Sequence, residues 1–242
     1  MSSSIDCTIK TEHLAVGYSK FPIVGDISLN MHPGELLVLI GTNGSGKSTI
    51  LKTMAGLVRP INGQLKILGS APGSLPKRVA YLPQHPVSTH TLPLRVRDIV
   101  AMGRFAHLGL FNKPTAHDKK VGENSMRLTG IDSQANDPIR DLSGGQQQRT
   151  HLAQVLTRQA EVLLLDEPTA GLDINGRKLV AELIASERAR GVTVVMATHE
   201  LQDAEQANTV MLLAQRVVSI GAPEVALRDE YLRECFGFTQ PH

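Results

Sequence analysis

The stretch Gly41-Thr42-Asn43-Gly44-Ser45-Gly46-Lys47-Ser48-Thr49 fits G-x-x-x-x-G-K-[ST], and it leaves few folds open to this chain. It follows an apolar run at residues 36–40 and opens a helical pattern at residues 47–57, the strand–loop–helix setting such a loop requires. Glycines at 41, 44 and 46 let consecutive backbone N–H groups curl around phosphate oxygens, and the helix start adds positive potential. Lys47 is placed to reach the outer phosphates of a nucleotide, and the Ser48 hydroxyl to ligate Mg²⁺.

The rest of the chain suits that loop. Residues 36–40, 162–166, 192–197 and 210–213 are short apolar runs bounded by polar or turn residues. Strands apolar on both faces belong inside a parallel sheet covered by helices. Residues 47–57, 144–157 and 174–190 read as those helices, the last with a stripe at Leu179, Val180, Leu183 and Ile184. Residues 8–16, 27–31 and 64–68 read as strands of a small antiparallel sheet. Residues 85–141 break the alternation with Pro86, Pro93, Pro114 and Pro138 and with helical patterns at 95–105 and 117–129. We expect one α/β domain over residues 1–242, with a phosphate-loop core, a mostly parallel sheet, a small N-terminal antiparallel sheet and an inserted helical subdomain at about 85–141. That subdomain should hinge against the core.

Composition narrows the function classes. At 242 residues and 41% hydrophobic the chain can bury a sizeable core. A net charge of +2, 3% aromatic residues and no tryptophan remove both the electrostatic and the base-stacking signature of a nucleic-acid binder. The apolar runs fall far short of the roughly 20 residues of a membrane span. The opening MSSSID lacks the basic and apolar regions of a signal peptide, and Cys7 and Cys235 form no metal or redox spacing, so a cytosolic setting is expected.

Two further segments complete a site. In Leu163-Leu164-Leu165-Asp166-Glu167 an apolar strand ends in two carboxylates at the sheet edge where ligands of open α/β sheets bind. Asp166 is expected to hold Mg²⁺ and Glu167 to polarise an attacking water. In Leu142-Ser143-Gly144-Gly145-Gln146-Gln147-Gln148-Arg149, Ser143 is a good helix N-cap and the glycines expose a second anion-binding helix start. Two such helix ends with one nucleotide loop imply a nucleotide held between two copies of the chain.

These residues resemble the signature motif of the ABC transporter ATPases, and the family's other motifs stand in matching order along nearly the whole chain. The resemblance implies that Tyr18 stacks on adenine and that Gln84, in Tyr81-Leu82-Pro83-Gln84, senses Mg²⁺ and the γ-phosphate. It likewise makes Asp173, in Ala170-Gly171-Leu172-Asp173, part of a loop crossing to the partner, and His199 a catalytic switch. The implied cofactors are ATP and Mg²⁺. The implied assembly is a head-to-tail homodimer on integral membrane permease subunits, at the cytoplasmic face of the membrane, served indirectly by an extracytoplasmic substrate-binding protein. Ser143, Gly144, Gly145 and Gln146 of one copy would then cap the γ-phosphate on Lys47 of the other.

Within the family, Arg95-Val96-Arg97-Asp98-Ile99-Val100, Gly103-Arg104 and Gly109-Leu110-Phe111-Asn112-Lys113-Pro114 look like importers of manganese or zinc. Asp166-Glu167-Pro168-Thr169 and Leu172-Asp173-Ile174 are as similar to ferric-siderophore and haem importers, and an exporter or non-transport ATPase shares the catalytic motifs. Residues 85–111, with an apolar face at Val96, Ile99, Val100 and Met102, are expected to form the permease groove. A zinc-protease reading of His199-Glu200 fails because position 203 is Asp. His85, His90, His107 and His117 match no metal-ligand spacing.

Overall fold

A computed structural model describes residues 7–18, 20–84, 94–109 and 112–237. In chain order its strands are β1 (Ile9–Val16), β2 (Val24–Met31), β3 (Leu36–Gly41), β4 (Asn62–Ile67), β5 (Val79–Leu82), β6 (Val162–Asp166), β7 (Thr193–Thr198), β8 (Thr209–Leu213) and β9 (Val217–Gly221). Its α-helices are α1 (Lys47–Met54), α2 (Val96–Met102), α3 (Phe105–Leu108), α4 (Ala116–Leu128), α5 (Gly144–Thr157), α6 (Ile174–Ala189), α7 (Pro223–Ala226) and α8 (Asp229–Phe236).

Strands β3, β6 and β7 are buried along their whole length because both their faces are covered. They form the centre of a six-stranded sheet ordered β5-β6-β7-β3-β8-β9, parallel except for β9, which pairs antiparallel with β8. One face carries Val38, Ile40, Leu163, Leu165, Val194 and Met196 against Leu152 and Val155 of α5 and Val180 and Leu183 of α6. The opposite face carries Leu37, Leu39, Leu164 and Val195 against Ile50, Leu51 and Met54 of α1 and the antiparallel sheet β2-β1-β4. Each fully buried aliphatic side chain here contributes roughly 1.5–3 kcal/mol. The register fixes where the chemistry sits. Ile40 pairs with Thr198 and Asp166 with Ala197, so three strands deliver their C-terminal residues to one edge.

Strand β5 is four residues long and was visible only as part of a motif, and the half-buried β9 was not anticipated. Helix α1 stops at Met54 rather than residue 57, because Gly56 turns left-handed with φ of 77°. Residue 192 precedes β7, which begins at Thr193. The single helix expected over residues 95–105 is two helices, α2 and α3. Gly103 lies between them, where a Cβ would come within 2.2 Å of the Gln154 carbonyl oxygen, so α2 ends packed directly on the backbone of α5.

The groove residues are also corrected. Val96 and Val100 are fully buried and pack with Met126, Ile131 and Ala153 in a third apolar cluster among α2, α4 and α5. They hold the helices together and present no surface to a partner; Ile99 of the expected face is also buried, at 1% exposure, and Met102 is half-buried. Residues 85–93, with His85 and His90, lie outside the described residues, as do Leu110 and Phe111.

Candidate functional site

Gly46 sits at the N-cap of α1 with φ of 109°, and a Cβ there would lie 2.4 Å from Val24 Cγ2. Only glycine fits this backbone and this approach. As a result α1 starts without a side-chain cap, and no acidic residue occupies its first turn. Its first N–H groups face a cavity of about 480 Å³. Tyr18, Ile23, Gln84 and Glu167 line that cavity together with the loop from Asn43 to Thr49. Gly41 ends β3 behind it, where a Cβ would meet the Leu213 carbonyl oxygen at 2.2 Å.

Lys47 is buried and turns its ammonium back on the loop, donating to the Gly41 carbonyl at 2.6 Å and the Thr42 carbonyl at 3.2 Å. Burial pulls its pKa below the usual lysine value, while Glu167 and Asp166 oppose the shift. Asp166 is 1% exposed, and its Oδ1 has no hydrogen-bond partner. Its Oδ2 accepts from the Tyr81 hydroxyl at 3.4 Å. Burial raises the Asp166 pKa, against hydrogen bonds from Ser48 and Tyr81. A buried carboxylate oxygen with no donor, beside a serine hydroxyl, fits a hard divalent cation such as Mg²⁺. Tyr81 is itself raised by burial and by Asp166.

Glu167 follows with φ of 51°, a left-handed backbone that costs a non-glycine residue about 1–3 kcal/mol. The conformation is over-determined by its neighbours. Its N–H donates to the Ala197 carbonyl at 2.9 Å, and its own carbonyl accepts from the Ala170 N–H at 3.1 Å and from Gln148 Nε2 at 3.3 Å. The carboxylate is mostly buried, with Oε1 3.9 Å from Nδ1 of the half-exposed His199. His199 does not cap the short 3-10 turn Leu201–Ala204. Thr198 and Glu200 hold its loop instead: Thr198 Oγ1 donates to Asp203 at 2.6 Å and accepts from the Glu200 N–H at 3.1 Å.

Tyr18 stands 63% exposed at the rim, with Lys52 donating to its hydroxyl at 3.4 Å. Lys52 lies one helical turn after Ser48, so its spacing could have flagged it. Tyr81 and Gln148 were also missed as site residues; Gln148 falls one turn after Gly144.

The remaining expected residues stand away from this cavity. Ser143 caps α5 in a reciprocal box, its Oγ accepting from the Gln146 N–H at 3.3 Å and its N–H donating to Gln146 Oε1 at 2.9 Å. Ser143 and Gly144 are exposed, and no heavy atom lies within 4 Å of a Cβ built on Gly144. Gly145 lies against the 171–172 loop. Asp173 is exposed and caps α6, accepting from the Gly176 N–H at 2.7 Å. Among the described residues no helix is long and apolar enough to cross a membrane.

Comparison with known proteins places this geometry. The family profile described as ABC transporter matches residues 24–170. The manganese transport system ATP-binding protein MntB of Bacillus subtilis is 34% identical over 230 residues, 95% of this chain and 92% of that protein. The zinc transport system ATP-binding protein TroB of Treponema pallidum is 32% identical over 95% of this chain and 86% of its own length. Among solved structures, an inward-facing ABC transporter assigned to the metal-chelate type superposes with a TM-score of 0.83, at 29% identity over 96% of this chain and 89% of that one.

Proposed function

This chain belongs to the ABC transporter family, and we propose that it is the ATP-hydrolysing subunit of an importer that takes up a metal ion such as manganese or zinc. The observation that carries the chemistry is the cavity at the start of α1, where Lys47, Glu167 and the buried Asp166 converge on the glycine-rich loop Asn43–Thr49.

ATP enters with its phosphates along residues Asn43–Thr49, and the Lys47 ammonium exchanges the Gly41 and Thr42 carbonyls for phosphate oxygens. Tyr18 stacks on the base. Ser48, Gln84 and Asp166 would hold Mg²⁺, which when bound would offset charge on the phosphate oxygens. Glu167 accepts a proton from water attacking the terminal phosphate, and His199, on the solvent side of that carboxylate, orients the attack.

The exposed α5 start supports a head-to-tail homodimer in which Ser143, Gly144, Gly145 and Gln146 cap the nucleotide of the other copy, with Asp173 on the crossing loop. A second cavity of about 300 Å³, lined by Leu82, Pro83, Ile99, Met102, His151 and Val155, takes a helix of the membrane permease. It adjoins Gln84, so hinging of the helices between β5 and α5 couples nucleotide to channel. The subunit then works at the cytoplasmic face, and an extracytoplasmic binding protein delivers cargo on the far side.

The manganese and zinc transport relatives support a free cation; the metal-chelate structure favours a chelate as the second reading. The test is metal accumulation in cells carrying Glu167→Gln, with co-purified membrane partners identified by mass spectrometry. We expect manganese or zinc uptake to collapse while the variant retains ATP and its permease. Unchanged accumulation of both metals, with lost uptake of a ferric chelate, would replace the cargo but leave the ATPase assignment.

A further inference from the structure

We propose that Gln148 is a positioning residue for Glu167: its side-chain amide ties helix α5 to the loop that carries the carboxylate. The inference rests on the reading of Glu167 as the group that activates water. Gln148 is 7% exposed, and its Nε2 donates to the Glu167 carbonyl at 3.3 Å and the Pro168 carbonyl at 3.1 Å. Both partners are pure acceptors, so both amide hydrogens are committed and the side chain has one orientation.

The other tethers on the Glu167 backbone come from Ala197 of β7 and from Ala170 within the same turn. Neither moves with α5. Gln148 is the tether that does, and it lies one helical turn, about 6 Å, from the exposed Ser143–Gly144 start of that helix. A ligand that pulls on the α5 start therefore shifts the peptide following a carboxylate already held left-handed. In the proposed dimer, α5 of each copy engages the partner's nucleotide, so Gln148 reports that engagement to the Glu167 of its own copy. Hydrolysis at one site is thereby coupled to occupancy of the other through a bond within one chain.

The experiment is steady-state hydrolysis of Mg·ATP by the full chain carrying Gln148→Met, which keeps length and loses both donors. We expect kcat to fall about tenfold, with KM and ATP affinity within about twofold of the parent. Gln148→Glu supplies a readout that a packing defect would not give: its carboxyl regains a donor when protonated, so its rate relative to the parent rises as pH falls. In a Glu167→Gln background, Gln148→Met should leave the residual rate unchanged. An unchanged kcat in Gln148→Met, a parallel loss of ATP affinity, or a further tenfold drop in the Glu167→Gln background would each overturn the positioning role. Should Gln148→Met unfold, the pH dependence of Gln148→Glu decides alone. If Glu167→Gln itself hydrolysed at the parental rate, the reading of Glu167 would fail instead.

Discussion

Helices α1 and α5 both begin in glycine-rich turns, yet their first N–H groups meet different fates. At α1 the N-cap is a left-handed Gly46 without a side chain, and the open donors line a cavity shared with Lys47, Gln84 and Glu167. At α5 the N-cap is Ser143, which satisfies the helix itself through a capping box with Gln146, and the end faces solvent. One end is a cradle assembled within the chain. The other is capped by its own side chains and faces outward. That difference supports the proposal that the first end binds this chain's nucleotide and the second the partner's.

The largest effect expected is at the first end. Lys47→Ala removes the buried ammonium, and hydrolysis should fall about a hundredfold or more with a matching loss of ATP affinity. A variant that still bound and hydrolysed ATP normally would erase the distinction between the two ends.

Ser143→Arg should affect only the second end, leaving ATP affinity intact while hydrolysis collapses. Mixed with Lys47→Ala, it forms heterodimers holding one intact composite site; independent sites would return about a quarter of the parental rate, and the coupling through Gln148 should hold the recovery measurably below that. No recovery on mixing would mean that the α5 end does not act across a dimer.

The smallest effect concerns the platform under α5. Arg104 donates to Asp118 at 2.8 Å and to the Thr157 carbonyl at 3.4 Å, tying α4 to the end of α5. Hydrogen bonds from Thr115 and Arg104 hold the Asp118 carboxyl well below the ordinary carboxylate range. A depressed carboxyl contributes stability above its unfolded pKa of about 4, and that contribution disappears as pH falls through the lower folded value. Asp118→Asn should therefore lower the neutral-pH thermal midpoint by several degrees and flatten the acid side of the stability curve. Hydrolysis per folded molecule should change little. An acid limb identical to the parent's would show that the pair does not hold the platform.

Much of this was legible before any coordinates, for a local reason. The phosphate loop, the apolar β3, β6 and β7, the capping box at Ser143 and the carboxylates ending β6 are each written in fewer than ten consecutive residues. Their spacing answers to helix and strand periods that act along the chain. Where the pattern was short or two-faced the reading slipped: four residues of β5 carry no period, and Val96 and Val100 suit an apolar groove as well as an apolar core.

Tertiary structure alone decided who meets whom. Tyr81 reaches Asp166 across 85 positions, and Gln148 of helix α5 reaches the loop residue Glu167. Gly103 lets the end of α2 lie directly on the backbone of α5. Such contacts leave no period in the sequence, since each is set by how finished elements pack. The chain thus spells out its phosphate loop and the central strands of its sheet in consecutive residues, while the hydrogen bonds that reach Asp166 and Glu167 exist only once α5, β5 and β6 lie side by side.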